Sequence, residues 1–251
     1  MKLRHCISLT LFSGVVGLNA ATIYSTDYTD TNGTTPSGWS TVAGLTISSN
    51  NYVADGVNNL ASYYDDGQGA SGIAGLSAYT VGADFQTSSG SAGLNIGLTA
   101  FGSNPKISDG TLQNFYLGRI RSTATNTWTL EIYKFVNNTA SLLATGSTTL
   151  TTLSVNTSYY LTFSVDAVAD TQVFSVYSSV GGTLLSSVSA TDASLSSGLA
   201  GVRMADGTGV VTYEDFSVST AAIPEPSSVA LLGGLSVLSL ALVRHCGVFR
   251  V

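Results

Sequence analysis

The chain has 251 residues, with 9 Lys and Arg against 15 Asp and Glu, a formal net charge of −6. Nucleic acid is bound by a basic face, so this balance argues against nucleic-acid binding. Both histidines and both cysteines lie near the chain ends, at His5, Cys6, His245 and Cys246. The long middle segment therefore has no disulfide, Ser-His-Asp triad, cysteine nucleophile or His- or thiolate-bound zinc.

The N-terminal segment has the pattern of a secretory signal peptide. A basic start precedes the apolar stretch Ile7–Leu18, and small residues follow at Ala20 and Ala21. Signal peptidases cut after small residues, so we expect cleavage after Ala20 or Ala21; a buried N-terminal helix or strand is the alternative. The expected organisation is a signal peptide over 1–21 followed by a domain over 22–220.

Most of the middle segment reads as short strands. Four stretches alternate apolar and polar residues with a period of two, as a strand with one buried face does: Thr127–Val136, Tyr159–Asp166, Thr171–Val180 and Val210–Val218. Turn-forming pairs separate the strands: Asn137-Asn138, Ala169-Asp170, Gly181-Gly182 and Asp206-Gly207. No stretch of this segment has a helical period. The sequence therefore predicts an all-β protein, an antiparallel β-sandwich in one domain.

The order of the segments also carries a family resemblance. The segments are NFYLGRIR, WTLEIYKFVNNTASLLATG, YYLTFSVD and, after a hairpin, GLAGVRMADGTGVVTYEDFSV. This series, over residues 112–218, resembles the concanavalin A-like (laminin-G-like) sandwich. The resemblance implies a jelly roll, a fold that in some members hydrolyses polysaccharides.

Catalysis of that kind requires two carboxylates about 5–9.5 Å apart across the sugar. The laminarinase-type motif of the family has Glu, Asp and Glu on one strand face. Here Glu131 is followed two residues later by Tyr133, and Glu214 and Asp215 are neighbours, which we expect to point to opposite faces. The sequence therefore predicts a protein that is not an enzyme.

Of all the loops, the segment YYDDGQGASG has the composition most typical of a ligand-binding site. Asp65 and Asp66 follow Tyr63 and Tyr64 and lead into a glycine-rich turn. Paired carboxylates bind Ca²⁺, and tyrosines stack on sugars. A solvated turn is the alternative.

Two further pairs are weaker candidates. Asp27 and Asp215 lie near the first and last strands, and in related jelly rolls a structural Ca²⁺ ties the chain ends together; two surface carboxylates are the alternative. Arg119 and Arg121 share a strand face and suit an acidic polysaccharide, or else pair with acidic residues across the strand. No other cofactor is expected. Tyrosines at strand spacing are expected mainly at the core edge.

The C-terminus combines three elements in a fixed order. Pro224, Glu225 and Pro226 are followed by an apolar run and then by Arg244 and Arg250. The prolines keep Glu225 in an extended segment, and the arginines favour a cytoplasmic end. This arrangement resembles the PEP-CTERM sorting signal. The resemblance implies recognition and cleavage by an exosortase, a membrane-embedded transpeptidase-like enzyme.

The whole segment 221–251 is thus expected to act as a sorting and anchoring tail, with a transmembrane helix over 228–243. We expect a protein exported to the inner membrane in transit and then to the cell surface or extracellular matrix. There it would be structural or would bind polysaccharide. The alternatives are a divergent polysaccharide-processing enzyme and a surface protein whose membrane anchor is never cut.

Overall fold

The computed structural model describes residues 21–36, 38–41, 45–55, 60–64, 72–103, 113–147, 149–151, 153–205 and 208–220. Residues 21–221 group into one compact unit. The predicted signal helix and the tail with its predicted transmembrane helix lie outside the described residues. Within the described ranges, no helix has the length and apolar character needed to cross a membrane.

The described residues form fifteen strands and one short 3-10 turn, Ile73–Gly75. The strands are β1 Ala21–Thr26, β2 Trp39–Thr41, β3 Leu45–Ser48, β4 Asn51–Asp55, β5 Leu60–Tyr64, β6 Ala78–Thr87, β7 Asn95–Gly102, β8 Phe115–Ala124, β9 Thr127–Val136, β10 Thr139–Thr145, β11 Tyr159–Asp166, β12 Thr171–Tyr177, β13 Leu184–Thr191, β14 Leu199–Ala205 and β15 Val210–Thr220.

The strands pair into two antiparallel sheets. Sheet I has eight strands in the order β13-β12-β11-β6-β15-β4-β3, with β1 also paired to β15. Sheet II has seven strands in the order β10-β9-β8-β7-β14-β5-β2. The predicted antiparallel β-sandwich is confirmed, and the bounds predicted for β9 and β11 are those observed. The Asn137-Asn138 turn is also present, with φ of 51° and 64°, as a tight hairpin turn requires.

The core lies between the sheets and follows the period of two. In β11 every second residue from Tyr159 to Val165 is buried. Phe163 and Phe174 of sheet I meet edge to face, with ring centroids 6.0 Å apart. They pack against Gly118 of sheet II, where an added Cβ would lie 2.4 Å from Phe174 Cδ2. A glycine at 118 is therefore required for the two sheets to approach this closely.

One charged cluster joins the two sheets. Asp192, just after β13, accepts hydrogen bonds from Lys134 Nζ at 2.6 Å and from the Tyr116 hydroxyl at 2.7 Å. Lys134 and Tyr116 belong to sheet II. Burial by itself raises the pKa of Asp192, but the hydrogen bonds from Lys134, Tyr116 and Ser194 outweigh it and hold this pKa well below its usual range.

The edge strands at one side of the sandwich, β10 and β13, each contain one extra residue that interrupts the pairing register. In β10, Leu142 pairs with Tyr133 and Ala144 with Ile132, so Leu143 is an extra residue. In β13, Leu185 is extra in the same way, between residues paired to Tyr177 and Val176. Both extra leucines are partly buried against the core. The edge strands at the other side, β2 and β3, have only 3 and 4 residues.

Candidate functional site

Several predicted site residues lie where no contact is described. The loop residues Asp65 and Asp66 are outside the described residues. Tyr63 and Tyr64 belong to β5, where their backbones pair with Gly201 and Ala200 of β14. The sorting residues are also outside the described ranges: Pro224, Glu225, Pro226, Arg244 and Arg250. These predictions stay predictions.

Asp27 and Asp215 are brought to neighbouring positions by strand pairing. Thr26, the last residue of β1, pairs with Phe216 of β15, so the two aspartates follow and precede that pair. Both are exposed, and Asp27 Oδ1 accepts a hydrogen bond from Thr29 Oγ1 at 3.0 Å. Among the described residues, no group of three or more acidic, His or Cys side chains is placed to hold a metal ion. The Ca²⁺ site predicted here remains untested.

The expectation that Glu214 and Asp215 point to opposite faces is wrong. Pairing between β15 and β6 shifts register between Glu214 and Ser217, and Asp215 has a φ of +45°. Asp215 is exposed at a position where strict alternation would bury it, while Phe216 is in the core. A bulge therefore brings both carboxylates to the outer side of sheet I.

These residues belong to a row that crosses sheet I on its outer face. Tyr177 of β12 pairs with Tyr160 of β11, which pairs with Asp84 of β6, and Asp84 pairs with Glu214 of β15. Asn51 of β4 continues the row beyond Glu214. We call these five residues the tyrosine–carboxylate row. Five strands spaced about 4.8 Å apart give it a length of about 19 Å.

At the aromatic end of the row, the side chain of Tyr160 lies flat against sheet I. The Tyr160 hydroxyl lies 2.1 Å from the position that a Cβ on Gly82 would occupy, so the side chain lies across this glycine of β6. The rings of Tyr160 and Tyr177 have centroids 6.4 Å apart and an interplanar angle of 48°. Both tyrosines are half-buried. Aromatic carbon is therefore presented at the surface, next to carboxylates.

The carboxylates of the row have different environments. Burial, followed by the charges of Asp215 and Glu214, raises the pKa of Asp84 to about 6. In the amide orientation of Asn51 that satisfies both its polar atoms, the nitrogen donates to Glu214 Oε1 at 2.9 Å. Asp84 therefore accepts a proton far more readily than an ordinary aspartate.

The outer face of sheet II is arranged differently. Arg119 donates to Glu131 Oε2 from Nε at 2.8 Å and from a terminal nitrogen at 2.6 Å, and Arg121 lies 3.8 Å from Oε1. The predicted cross-strand acidic partner is therefore Glu131, which is only 6 % exposed. The Arg119 guanidinium also covers the Tyr133 ring at 4.2 Å from its centroid. That ring face is not available to a sugar.

Sequence reasoning missed Asp84, Tyr160 and Tyr177. The pairing of Asp84 with Tyr160 joins strands far apart in sequence, and the period of two assigns each residue only to a face. The available signal was Gly82 within the strand AYTVGADFQT, because a glycine inside a strand often marks a close approach.

No protein-family model and no curated protein sequence matches the chain. The fold is similar to winged bean acidic lectin complexed with methyl-α-D-galactose, with a TM-score of 0.54, 10% identity, and coverage of 80% of this chain and 98% of the lectin. It is similar to the CBM2 module of the evolved Dit of Lactobacillus casei BL23 phage J-1, with a TM-score of 0.50, 8% identity, and coverage of 80% and 96%.

It is also similar to the GH43 protein BlXynB of Bacillus licheniformis, with a TM-score of 0.53 and 10% identity. That match covers 78% of this chain and 39% of BlXynB, so the chain spans well under half of that protein. Identities this low report the fold alone. The chain shares with these three proteins a β-sandwich fold.

Proposed function

We propose that the chain is a non-catalytic β-sandwich protein that binds polysaccharide with the tyrosine–carboxylate row. The observation that carries this proposal is Tyr160 lying flat over Gly82 beside Tyr177. Flat aromatic carbon suits the apolar face of a sugar ring. The carboxylates of Asp84 and Glu214 accept hydrogen bonds from sugar hydroxyls.

The shape and chemistry of the row favour an extended chain of neutral sugars. A row about 19 Å long suits a ligand that lies across several strands rather than one that is inserted in a cavity. The described strands of sheet I contain no Lys or Arg, so an acidic sugar would meet uncompensated carboxylates there. A lectin-like fold supports the proposal at the level of architecture.

A binding assay tests the row directly. The full-length chain is screened on a glycan array, and the best neutral oligosaccharide is titrated by calorimetry. Tyr160→Ala should abolish binding and Tyr160→Phe should retain it, because the ring supplies the contact. Tyr133→Ala is the matched control, a half-buried tyrosine on the outer face of sheet II.

A tyrosine that covers a strand glycine also stabilises a sheet, so folding must be checked. Circular dichroism and a thermal melt show whether Tyr160→Ala remains folded. Undiminished binding by a folded Tyr160→Ala variant would rule out the row as the sugar site. An array on which no glycan binds the wild-type chain would contradict the proposed function itself.

The terminal segments support an exported protein. We propose that the signal-like segment 1–21 directs export and that the tail 221–251 delivers the chain to an exosortase at the inner membrane. Release then places the sandwich at the cell surface or in the extracellular matrix. What supports this is the order of Pro224-Glu225-Pro226, an apolar run and a basic end.

Mass spectrometry of the protein from its native host tests the sorting proposal. Cleavage near Glu225 is expected in the wild type, and Glu225→Gln with both prolines kept should leave a full-length membrane-bound form. Equal cleavage in both proteins would mean that the processing enzyme does not recognise Glu225. An intact 229–251 segment on the mature wild-type protein would favour the uncut anchor.

A second candidate function, hydrolysis of glycosidic bonds, is favoured by the environments of Asp84 and Glu214. A carboxyl with a pKa near 6 suits a general acid, and a second carboxylate lies on the adjacent strand. Release of reducing ends from the bound polysaccharide, lost in Asp84→Asn, would establish this activity. Binding without release would leave the non-catalytic function.

A further inference from the structure

Three carboxylates lie close together on the outer face of sheet I, where the tyrosine–carboxylate row passes. Asp84 of β6 pairs with Glu214 of β15, and the bulge in β15 turns Asp215 to the same face. Like charges on directly opposed strand residues repel each other. The described strands of sheet I contain no Lys or Arg, and the three ion pairs within the described ranges lie elsewhere. In the part of the chain that the structure describes, no positive charge balances these carboxylates.

Asp84 and Glu214 differ in their hydrogen bonds. Asn51 donates to Glu214 Oε1 at 2.9 Å in the amide orientation that satisfies both its polar atoms. Asp84 is half-buried, and no described residue donates a hydrogen bond to its carboxylate. Of the two opposed carboxylates, Asp84 is therefore the one without a hydrogen-bond donor for its charge.

The groups that face Asp84 come from the two strands beside β6. On one side lies Tyr160 of β11, a phenol whose own pKa is raised, chiefly by burial. On the other side lie Glu214 and Asp215 of β15. Along β6 itself, the outward neighbours of Asp84 do not titrate. Burial first, and then the charges of Asp215 and Glu214, raises the pKa of Asp84 to about 6, so its charge changes close to neutral pH.

A neutral sugar laid across the row would change the surroundings of Asp84. A sugar ring over Tyr160 excludes water from the carboxylate on the adjacent strand, and a neutral sugar brings no positive charge in its place. Removing water from an ionised carboxylate is unfavourable, and the neighbouring charge of Glu214 adds to that effect. Covering the protonated form of Asp84 avoids both effects.

The protonated form also matches the hydrogen bonds of a sugar. A hydroxyl group donates one hydrogen bond and accepts others. Two ionised carboxylates side by side can only accept, whereas a protonated Asp84 donates to the sugar while Glu214 accepts from it. The pair then offers one donor and one acceptor on adjacent strands.

We infer that polysaccharide binding at the tyrosine–carboxylate row is coupled to the uptake of a proton by Asp84, so that the protein binds its ligand more tightly in mild acid than in mild alkali. This inference rests on the proposed function, because it concerns the same row. The proton comes from the solvent on binding and returns to it on release. The row is thus a binding site whose affinity follows the pH of its surroundings.

Calorimetry of the full-length chain tests this coupling. The probes are neutral hexasaccharides of glucose, xylose, mannose and galactose, and the one that binds most tightly is titrated at about pH 5 and about pH 8. If binding raises the pKa of Asp84 from about 6 by about one unit, the affinity is about eightfold greater at the lower pH. Titrations at about pH 6.5 in two buffers with different heats of ionisation then show an uptake of about half a proton per ligand.

Asp84→Asn is the variant that isolates the titrating group, because asparagine is uncharged at every pH yet donates and accepts hydrogen bonds. It should bind equally well at both pH values and take up no proton. Asp166→Asn is the matched control, since Asp166 is another carboxylate on the outer face of sheet I but lies outside the row. It should keep the pH dependence of the wild type. Circular dichroism at both pH values confirms that each protein is folded.

The outcomes separate this inference from the proposed function. Equal affinity at both pH values, or weaker binding at the lower one, would overturn the inference and leave the binding function intact. PH dependence that persists unchanged in Asp84→Asn would also overturn it, because another group would then be the one that titrates. Failure of every probe to bind at either pH would refute the proposed function and the inference together.

Discussion

The hydrogen-bonded cluster around Asp192, which joins the two sheets, allows a direct test of how much its bonds stabilise the fold. Asp192→Asn keeps the shape of the side chain but removes its charge, so the bond to Lys134 loses its ionic character. The amide nitrogen also replaces one of the two carboxylate oxygens, Oδ2 and Oδ1, that accept from Lys134 Nζ and the Tyr116 hydroxyl at 2.6 and 2.7 Å, so one of these acceptors is lost. Hydrogen bonds to charged groups contribute about 1.5–3 kcal/mol. For a domain of this size the melting temperature should fall by about 3 to 12 °C.

The same substitution has a predicted pH dependence. The pKa of Asp192 is lowered in the folded state, despite the opposing effect of burial, so the unfolded chain binds the proton more readily. The stability it contributes is complete above the unfolded pKa of about 3.9 and is lost as the pH falls toward the folded value. The wild type and Asp192→Asn should therefore differ at neutral pH and converge in acid.

Urea unfolding at neutral pH and at about pH 3 measures both effects. Asp166→Asn is the matched control, because Asp166 Oδ1 caps the turn by accepting from the Val168 and Ala169 amides at 2.8 and 3.0 Å. An asparagine oxygen accepts those bonds too, so the change should be within about 0.5 kcal/mol. Equal stability of wild type and Asp192→Asn at neutral pH, or a difference that persists unchanged in acid, would refute the reasoning.

Three further predictions follow from the fold. Gly118→Ala places a methyl group 2.4 Å from Phe174 Cδ2 and should lower the free energy of unfolding by about 1–3 kcal/mol in urea titrations; an unchanged midpoint would contradict the close packing. Asp84→Asn should raise the melting temperature at neutral pH but not below about pH 4. The pKa of Asp84 in the folded protein is about 6, raised first by burial, so ionisation of this carboxyl lowers the stability of the wild type as the pH rises. Reductant should leave the melt unchanged, since residues 22–220 contain no cysteine; any shift would show that a cysteine outside that range supports the fold.

The strands that could be predicted from sequence are those with local signals. Alternation over Thr127–Val136 and the Asn137-Asn138 turn define the hairpin of β9 and β10 without knowledge of the rest. The first half gave fewer signals, because in β7 every residue is buried, including Asn95 and Thr99 on the outer face. A strand buried on both faces does not alternate.

The candidate site depends on long-range register, which the sequence pattern does not specify. Asp84 meets Tyr160 and Glu214 only because β6 lies between β11 and β15. The expectation that Glu214 and Asp215 point to opposite faces fails because the bulge that turns Asp215 outward has no sequence motif of its own.

The extra residues of the two long edge strands affect how the protein behaves in concentrated solution. Free backbone groups at a sheet edge invite pairing with another molecule, and most proteins guard such edges with charge or proline. The segments TASLLAT and LLSSVSAT have neither. Their protection lies in Leu143 and Leu185, which interrupt the hydrogen-bonding register and turn inward. Removing either residue would straighten a flat, uncharged edge, and light scattering of the variant should then record more association than light scattering of the wild type.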